Sequence, residues 1–205
     1  MMIRLIASGF ALAGILATTT LEGRQMPAVD EAMAEKHIAT WKAKPKELAM
    51  KLMAKYGPPH EATSQRLIWH NNGPWKMTEL VNEEIPHDFP MPHVDMLYQS
   101  INHKIDPKHA DELLEYDGSV ILERTKGEMA ARCDKEEPNF LAINLAHDII
   151  MGKRSVSEAR NHYAESMMML MKGGKPNNYQ TGFVFAVEKA PQGDKDMPAK
   201  MPNMF

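Results

Sequence analysis

Residues 117–151 read DGSVILERTKGEMAARCDKEEPNFLAINLAHDIIM, and their order decides the fold class. Asp117-Gly118 is a turn pair, after which the runs Val120 to Arg124 and Glu128 to Cys133 flank Thr125-Lys126-Gly127. Two short runs around a glycine-bearing turn predict a hairpin. From Pro138 to Met151 the pattern changes: Phe140, Leu141, Ala142, Ile143, Leu145, Ala146, Ile149 and Ile150 leave a polar strip only at Asn144, His147 and Asp148. A helix apolar on nearly every side has to be buried, so this one is expected at the centre.

Working outward, Ser155-Val156-Ser157-Glu158 is a capping box, in which serine and glutamate satisfy each other's free amides. It opens a helix with Val156, Ala159, Tyr163, Met167 and Leu170 on its core face, stopped by Gly173-Gly174. The alternation from Thr181 to Glu188 predicts a last strand closing the sheet. On the other side, Val29 to Tyr56 has helical spacing interrupted by Pro45, which predicts a break near Lys44 and a second helix starting there. Ser64 to His70 and Trp75 to Val81 flank Asn71-Asn72-Gly73-Pro74 as a second hairpin, followed by an extended run from Val94 to Ile105. Asp106-Pro107 then caps a short helix to Tyr116. Without regular strand–helix alternation, the class is α+β: an antiparallel sheet of about five to six strands, made of two hairpins and a C-terminal strand, packed against helices.

The composition of this 205-residue chain, 43% hydrophobic and 25% charged, suits one sizeable core. A net charge of −3 leaves no basic excess for a polyanion, so nucleic acid is not an expected partner. Arg4 precedes an apolar run from Leu5 to Ala17 and then small residues, the order of a secretory signal. The run is short for a membrane span, which takes about 20 residues. Residues 1–23 are accordingly expected to be a signal peptide or uncleaved anchor, residues 24–189 one α+β domain, and residues 190–205 a disordered tail bearing Met and Pro. A periplasmic or secreted location follows, with no membrane segment beyond that start. Cys133 is the single cysteine, so no disulfide forms within the chain.

Three strings, LIWHNNGPWK, PHDFPMPHVD and EYDGSVILERTKGEMAARCDKEEPNFLAINLAHDI, together resemble an uncharacterised group of exported bacterial proteins. The likeness covers most of the mature domain and implies export; since that group has no known activity, it implies no reaction. The stretch from Glu47 to Trp69, a helix, Tyr56-Gly57-Pro58 and a strand, is also similar to small α/β modules of envelope lipoproteins.

Four constellations could carry chemistry. His87-Asp88 is followed by His93 and Asp95, with His70 and His103 on neighbouring strands. Along a strand His93 and Asp95 point to one side, where His87 can join them around a metal ion, and imidazole with carboxylate suits zinc or iron. The plain alternative is a proline-shaped surface loop with ordinary hydrogen bonds. Cys133 lies between a strand end and a helix start, where free amides lower a thiol pKa. A Cys–His pair would need a histidine other than His147, which is about 18–20 Å further along the chain; otherwise Cys133 is inert core. Asn144, His147 and Asp148 share one helix face, which either meets solvent or lines a ligand pocket with Arg132 or Trp75 as neighbours. Met197, Met201 and Met204 in the tail are soft ligands suited to Cu(I), whereas Met167, Met168, Met169 and Met171 are expected to pack. Trp41, Trp69 and Trp75 are expected in the core.

Two functions remain open on these residues. One is a non-catalytic envelope protein that binds a small molecule or another envelope protein, as the lack of any nucleophile motif or phosphate loop suggests. The other is a metal-dependent, hydrolase-like enzyme on His87, His93 and Asp95, or copper handling by the tail.

Overall fold

The computed structural model describes residues 27–199. The expected signal segment and two of the tail methionines, Met201 and Met204, lie outside the described residues.

Helix α1 (Glu31–Ile38), capped by the Asp30 side chain, and helix α2 (Ala43–Tyr56) flank a break at residues 39–42. Pro45 sits in the first turn of α2, where a missing N–H costs nothing. Strands β1 (Glu61–Ala62), β2 (Arg66–Asn72), β3 (Trp75–His87) and β4 (His93–Asn102) follow. A short 3-10 turn (Pro107–His109), capped by Asp106, leads into helix α3 (Ala110–Tyr116). Strands β5 (Val120–Glu123) and β6 (Glu128–Cys133) form the second hairpin and run into α4 (Glu136–Ile150). Helix α5 (Val156–Met171) begins with the expected capping box of Ser155 and Glu158. The six strands make one antiparallel sheet in the order β1-β2-β3-β4-β6-β5, so the α+β class holds.

The register puts Leu67, Trp69, Leu80, Leu97, Ile101, Ala131 and Met129 on one face of the sheet, because each is the cross-strand neighbour of another or two residues from one. That face carries two adjoining cores. Under α1 and α2, Ile38, Trp41 and Leu52 meet Leu67, Trp69 and Leu97. Under α4, Leu141, Ile143 and Leu145 meet Ile101, Met129 and Ala131 together with Trp75 and Tyr116. All three tryptophans are therefore core residues. Each buried Leu or Ile side chain contributes roughly 1.5–3 kcal/mol of transfer free energy.

Three expectations change. The sixth strand is β1, not a C-terminal strand: residues 178–181 form the short helix α6 (Asn178–Thr181), and the segment after it pairs with no strand. Its alternating Phe183, Phe185 and Val187 do face the core, but they lie against the α4 core rather than in a sheet. Residues 190–199, expected to be disordered, run without regular structure beside the β5–β6 turn, where the Asp194 N–H donates to the Arg124 carbonyl at 3.0 Å. The Arg124 guanidinium pairs there with Asp194 and Asp196. Gly127 (φ +66°) admits this close approach, since a Cβ there would lie 2.6 Å from the Gln192 backbone. Finally, Met168, Met169 and Met171 are 45–68% exposed instead of packed, because the core face of α5 is Ala159, Tyr163 and Ser166 and these methionines fall outside it.

Two substitutions separate the layers of this description. Leu141→Ala in α4 is expected to cost about 3 kcal/mol through a cavity that the surrounding sheet cannot fill. Met168→Ala on the outer face of α5 should stay within about 0.5 kcal/mol of the parent. Urea unfolding of both variants checks the pair, and equal losses would contradict the assignment of α4 as the buried helix.

Candidate metal centre

The register explains how three side chains distant from any motif meet. His93 and Asp95 are two residues apart on β4 and point to the helix-covered face, as Leu97 does. His87 ends β3 directly opposite His93. Between Leu80 and Ile85 the β3–β4 pairing is irregular, and beyond that bulge Ile85 faces Asp95 and His87 faces His93. A bulge re-aims the residues that follow it, here towards the inner side of the hairpin end.

His87, His93 and Asp95 each present one ligand atom within 4.8 Å of the others. His87 Nδ1 is 3.2 Å from Asp95 Oδ2, and His93 Nε2 is 3.1 Å from Asp95 Oδ1. Both contacts are ion pairs when the imidazoles are protonated, but the geometry leaves the buried His87 Nδ1 and Asp95 Oδ1 without a well-aligned hydrogen bond. His93 Nδ1 lies 2.8 Å from the Met91 carbonyl, an acceptor that requires the proton on Nδ1. In the neutral ring Nε2 then carries a lone pair aimed into the cluster.

Asp117 stands behind His87. Its Oδ1 accepts from the Ser119 amide and hydroxyl, both at 2.8 Å, and lies 3.6 Å from His87 Nε2. Its Oδ2 is buried without a partner. With Nε2 turned to a carboxylate, Nδ1 is the His87 atom left for a ligand, the arrangement in which an outer carboxylate orients a ligating imidazole. Burial raises the Asp117 pKa, offset in part by its hydrogen bonds to Ser119 and the charge of His87. The neighbouring Asp95 carboxylate holds His93 above the ordinary imidazole value against the opposing effect of burial.

Cys133, at the end of β6, brings its Sγ to 3.4 Å from His93 Nε2 and 3.6 Å from Asp134 Oδ1. A histidine partner does therefore come from another strand. The expected low thiol pKa is reversed: burial pushes it well up, and the charges of Asp134, Asp95 and Asp117 add to the rise. A hydrogen bond from the Asp134 backbone amide opposes the rise without cancelling it. His70 and His103 do not join the cluster. His70 pairs with Glu61 at 2.8 Å, and His103 Nε2 meets His147 Nδ1 at 3.0 Å.

The polar strip of α4 is covered by the chain itself. Asn144 donates to the carbonyls of Tyr179 (3.0 Å) and Gly182 (2.8 Å) and accepts from the Val184 amide (3.0 Å). Asp148 accepts from Tyr179 Oη at 2.8 Å and Arg154 Nε at 3.0 Å. The His147 ring stacks on Phe185 with centroids 3.8 Å apart. Trp75 lies against Phe140 and Phe183 and donates its Nε1–H to Glu136 at 2.7 Å, while Arg132 pairs with Tyr98 across the sheet. Asn144 and Asp148 are thus buried and His147 half-buried, with residues 179–185 rather than Arg132 engaging the strip. In the tail, Met197 is fully exposed.

Asp117 and the orienting Met91 carbonyl escaped the sequence reading. The first looks like an ordinary turn residue before Gly118, and the second is a backbone atom without a side-chain signature. No family model matches this chain, and no curated protein or solved structure matches it either. Among the described residues no helix is long and apolar enough to cross a membrane.

Burial, with the charges of His103 and Lys153 adding to it, depresses His147 to about 4, against a weaker opposing effect of Asp148. Burial lowers the His103 pKa as well, with Lys104 O and Glu188 acting the other way. A histidine with a lowered folded pKa stabilises the fold above its ordinary value of 6.5, and that contribution is lost as the pH falls towards about 4. Melting temperatures taken from pH 7 to pH 4 are expected to fall, and to fall less steeply for His147→Gln. Parallel curves for the two proteins would show that the pair carries no such linkage.

Proposed function

We propose that this protein is an exported metal-binding protein of the cell envelope that holds one zinc or iron ion on His87, His93 and Asp95, with hydrolase-like chemistry at an open coordination position. The observation that carries this reading is the set of buried polar atoms, His87 Nδ1 and Asp95 Oδ1, which stand 3.1–3.2 Å from other potential ligand atoms and yet have no hydrogen-bond partner. Unpaired buried groups cost about 1–3 kcal/mol each, a cost that a shared cation removes. Two imidazoles and one carboxylate match the three-ligand set of catalytic rather than structural zinc sites, and equally the open ferrous set. An ion bound there would supply a Lewis acid and an activated water. The Met91 carbonyl orients His93, and Asp117 stands 3.6 Å from His87 Nε2, close enough to support its ring, as ligands of either ion use. Export rests on residues 1–23, whose charged start, apolar run and small-residue exit favour a secretory signal. A non-catalytic ligand site on Asn144, His147 and Asp148 finds less support, since Asn144, Asp148 Oδ2 and the His147 ring face are already engaged by residues 179–185.

Metal content measured by mass spectrometry on untagged protein is expected to give about one zinc or iron per chain. His93→Ala should abolish it and His70→Ala should preserve it. Added Zn²⁺ at a hundredfold excess over its Kd should stabilise the parent by about 2.7 kcal/mol in thermal melts. A metal-free protein whose melt does not move with Zn²⁺ or Fe²⁺ would sink the reading.

A further inference from the structure

Two depressions of unlike chemistry meet at His93. One is a groove of about 550 Å³ between α2 and the start of α4, whose walls carry Lys44, Lys51, Lys55, Glu47 and Glu137. The other is a smaller pocket of about 160 Å³. His93 and Cys133 line it, with Pro90, Tyr163, Met167 and Met171 as apolar wall. Its surface is dominated by ring carbons, methylenes and thioethers, with Asp134 and Lys135 at the edge shared with the groove.

From this juxtaposition we infer that the small pocket is a specificity subsite of the metal centre, taking a phenyl or branched aliphatic group of a small-molecule ligand whose polar head reaches the ion. The inference rests on the metal reading above and adds the ligand class. Three observations bear on it. The volume is close to the ~150 Å³ apolar cavity that holds one benzene molecule, so it admits a single ring or an isobutyl group and little more. The position is set by His93 and Cys133: His93 lines the pocket while its Nε2 faces the ligand cluster, and Cys133 Sγ, also in the wall, is 3.4 Å from that Nε2, so a group seated here lies beside the centre. The wall is adaptable, because methionine has three rotatable bonds and a polarisable sulfur that moulds to an apolar guest. This role also accounts for Met171, which is 68% exposed on α5 and contributes nothing to the core.

The test uses two zinc-binding probes with the same head, acetohydroxamic acid and phenylacetohydroxamic acid, titrated into zinc-loaded full-length protein by calorimetry. The phenyl compound is expected to bind at least about tenfold more tightly, the gain from burying one aromatic ring. Met171→Glu at the exposed mouth should shrink that ratio to below about threefold with acetohydroxamate affinity, zinc stoichiometry and melting temperature unchanged, and Met167→Gln in the wall should shrink it likewise with zinc stoichiometry and acetohydroxamate affinity unchanged, at some cost in melting temperature. Equal affinity of the two probes for zinc-loaded protein, or a ratio that survives both substitutions, would overturn the subsite while leaving the metal centre standing. Protein that takes up no zinc removes the metal reading, and the subsite falls with it.

Discussion

Everything else in the structure is arranged around the burial of α4. A helix with Leu141, Ile143, Leu145, Ala146 and Asn144 all fully buried needs cover on every side, and three parts of the chain supply it. The sheet covers one side through Ile101, Met129 and Ala131. Helix α5 covers another through Ala159 and Tyr163, and the segment with Phe183, Phe185 and Val187 covers a third. The two buried asparagines are what make this burial affordable. Asn139 donates to Leu97 O and Gln99 Oε1, which ties the first turns of the helix to β4. Asn144 holds the backbone of the C-terminal segment through three hydrogen bonds. Polar groups that deep are stabilised by pairing, and here each hydrogen bond made also joins α4 to a neighbour.

The same principle makes the end of the β3–β4 hairpin stand out. Elsewhere some buried polar side chains form connected networks, such as Glu136 accepting from Trp75, Tyr56 and Lys55, while single atoms such as Asn139 Oδ1 and Asp148 Oδ1 have no hydrogen-bond partner. Around His93 the groups are equally buried and equally close, but Asp95 Oδ1, Asp117 Oδ2 and His87 Nδ1 are left without partners. Cys133, Asp134, Asp117 and Asp95 concentrate negative or potentially negative groups around two imidazoles. Such a cluster is costly in isolation and favourable around a cation, which is the physical basis of the proposal.

The chain's own C-terminal segment shows how one sequence pattern serves two structures. Phe183, Phe185 and Val187 alternate as strand residues do, because every second side chain has to face an apolar surface. Alternation records which side chains point inward; it does not record whether the surface beneath is a sheet edge or a helix. Here the surface is α4, and the backbone groups that a neighbouring strand would have satisfied are met by Asn144. The methionines of α5 illustrate the converse. Four of them within five residues cannot all share one face of a helix, so Met167 turns inward while Met168, Met169 and Met171 turn out.

By itself the sequence determined the elements whose signals are local. These are the two hairpins at Asn71-Asn72-Gly73-Pro74 and Thr125-Lys126-Gly127, the helix break before Pro45, the capping box at Ser155 and Glu158, and the all-round apolar α4 that makes the fold α+β. Turn chemistry, capping and periodicity act over a few residues, so they are legible along the chain. It also brought His87, His93 and Asp95 together as candidates, because strand spacing places two of them on one side. Only the tertiary structure decided that Asp117 stands 3.6 Å from His87, that Cys133 from β6 meets His93 and has its thiol pKa raised rather than lowered, and that Asn144, His147 and Asp148 meet residues 179–185. Those contacts join positions 30 to 40 residues apart, and they depend on strand register, a bulge and the path of the last segment, none of which leaves a mark in the local pattern of residues.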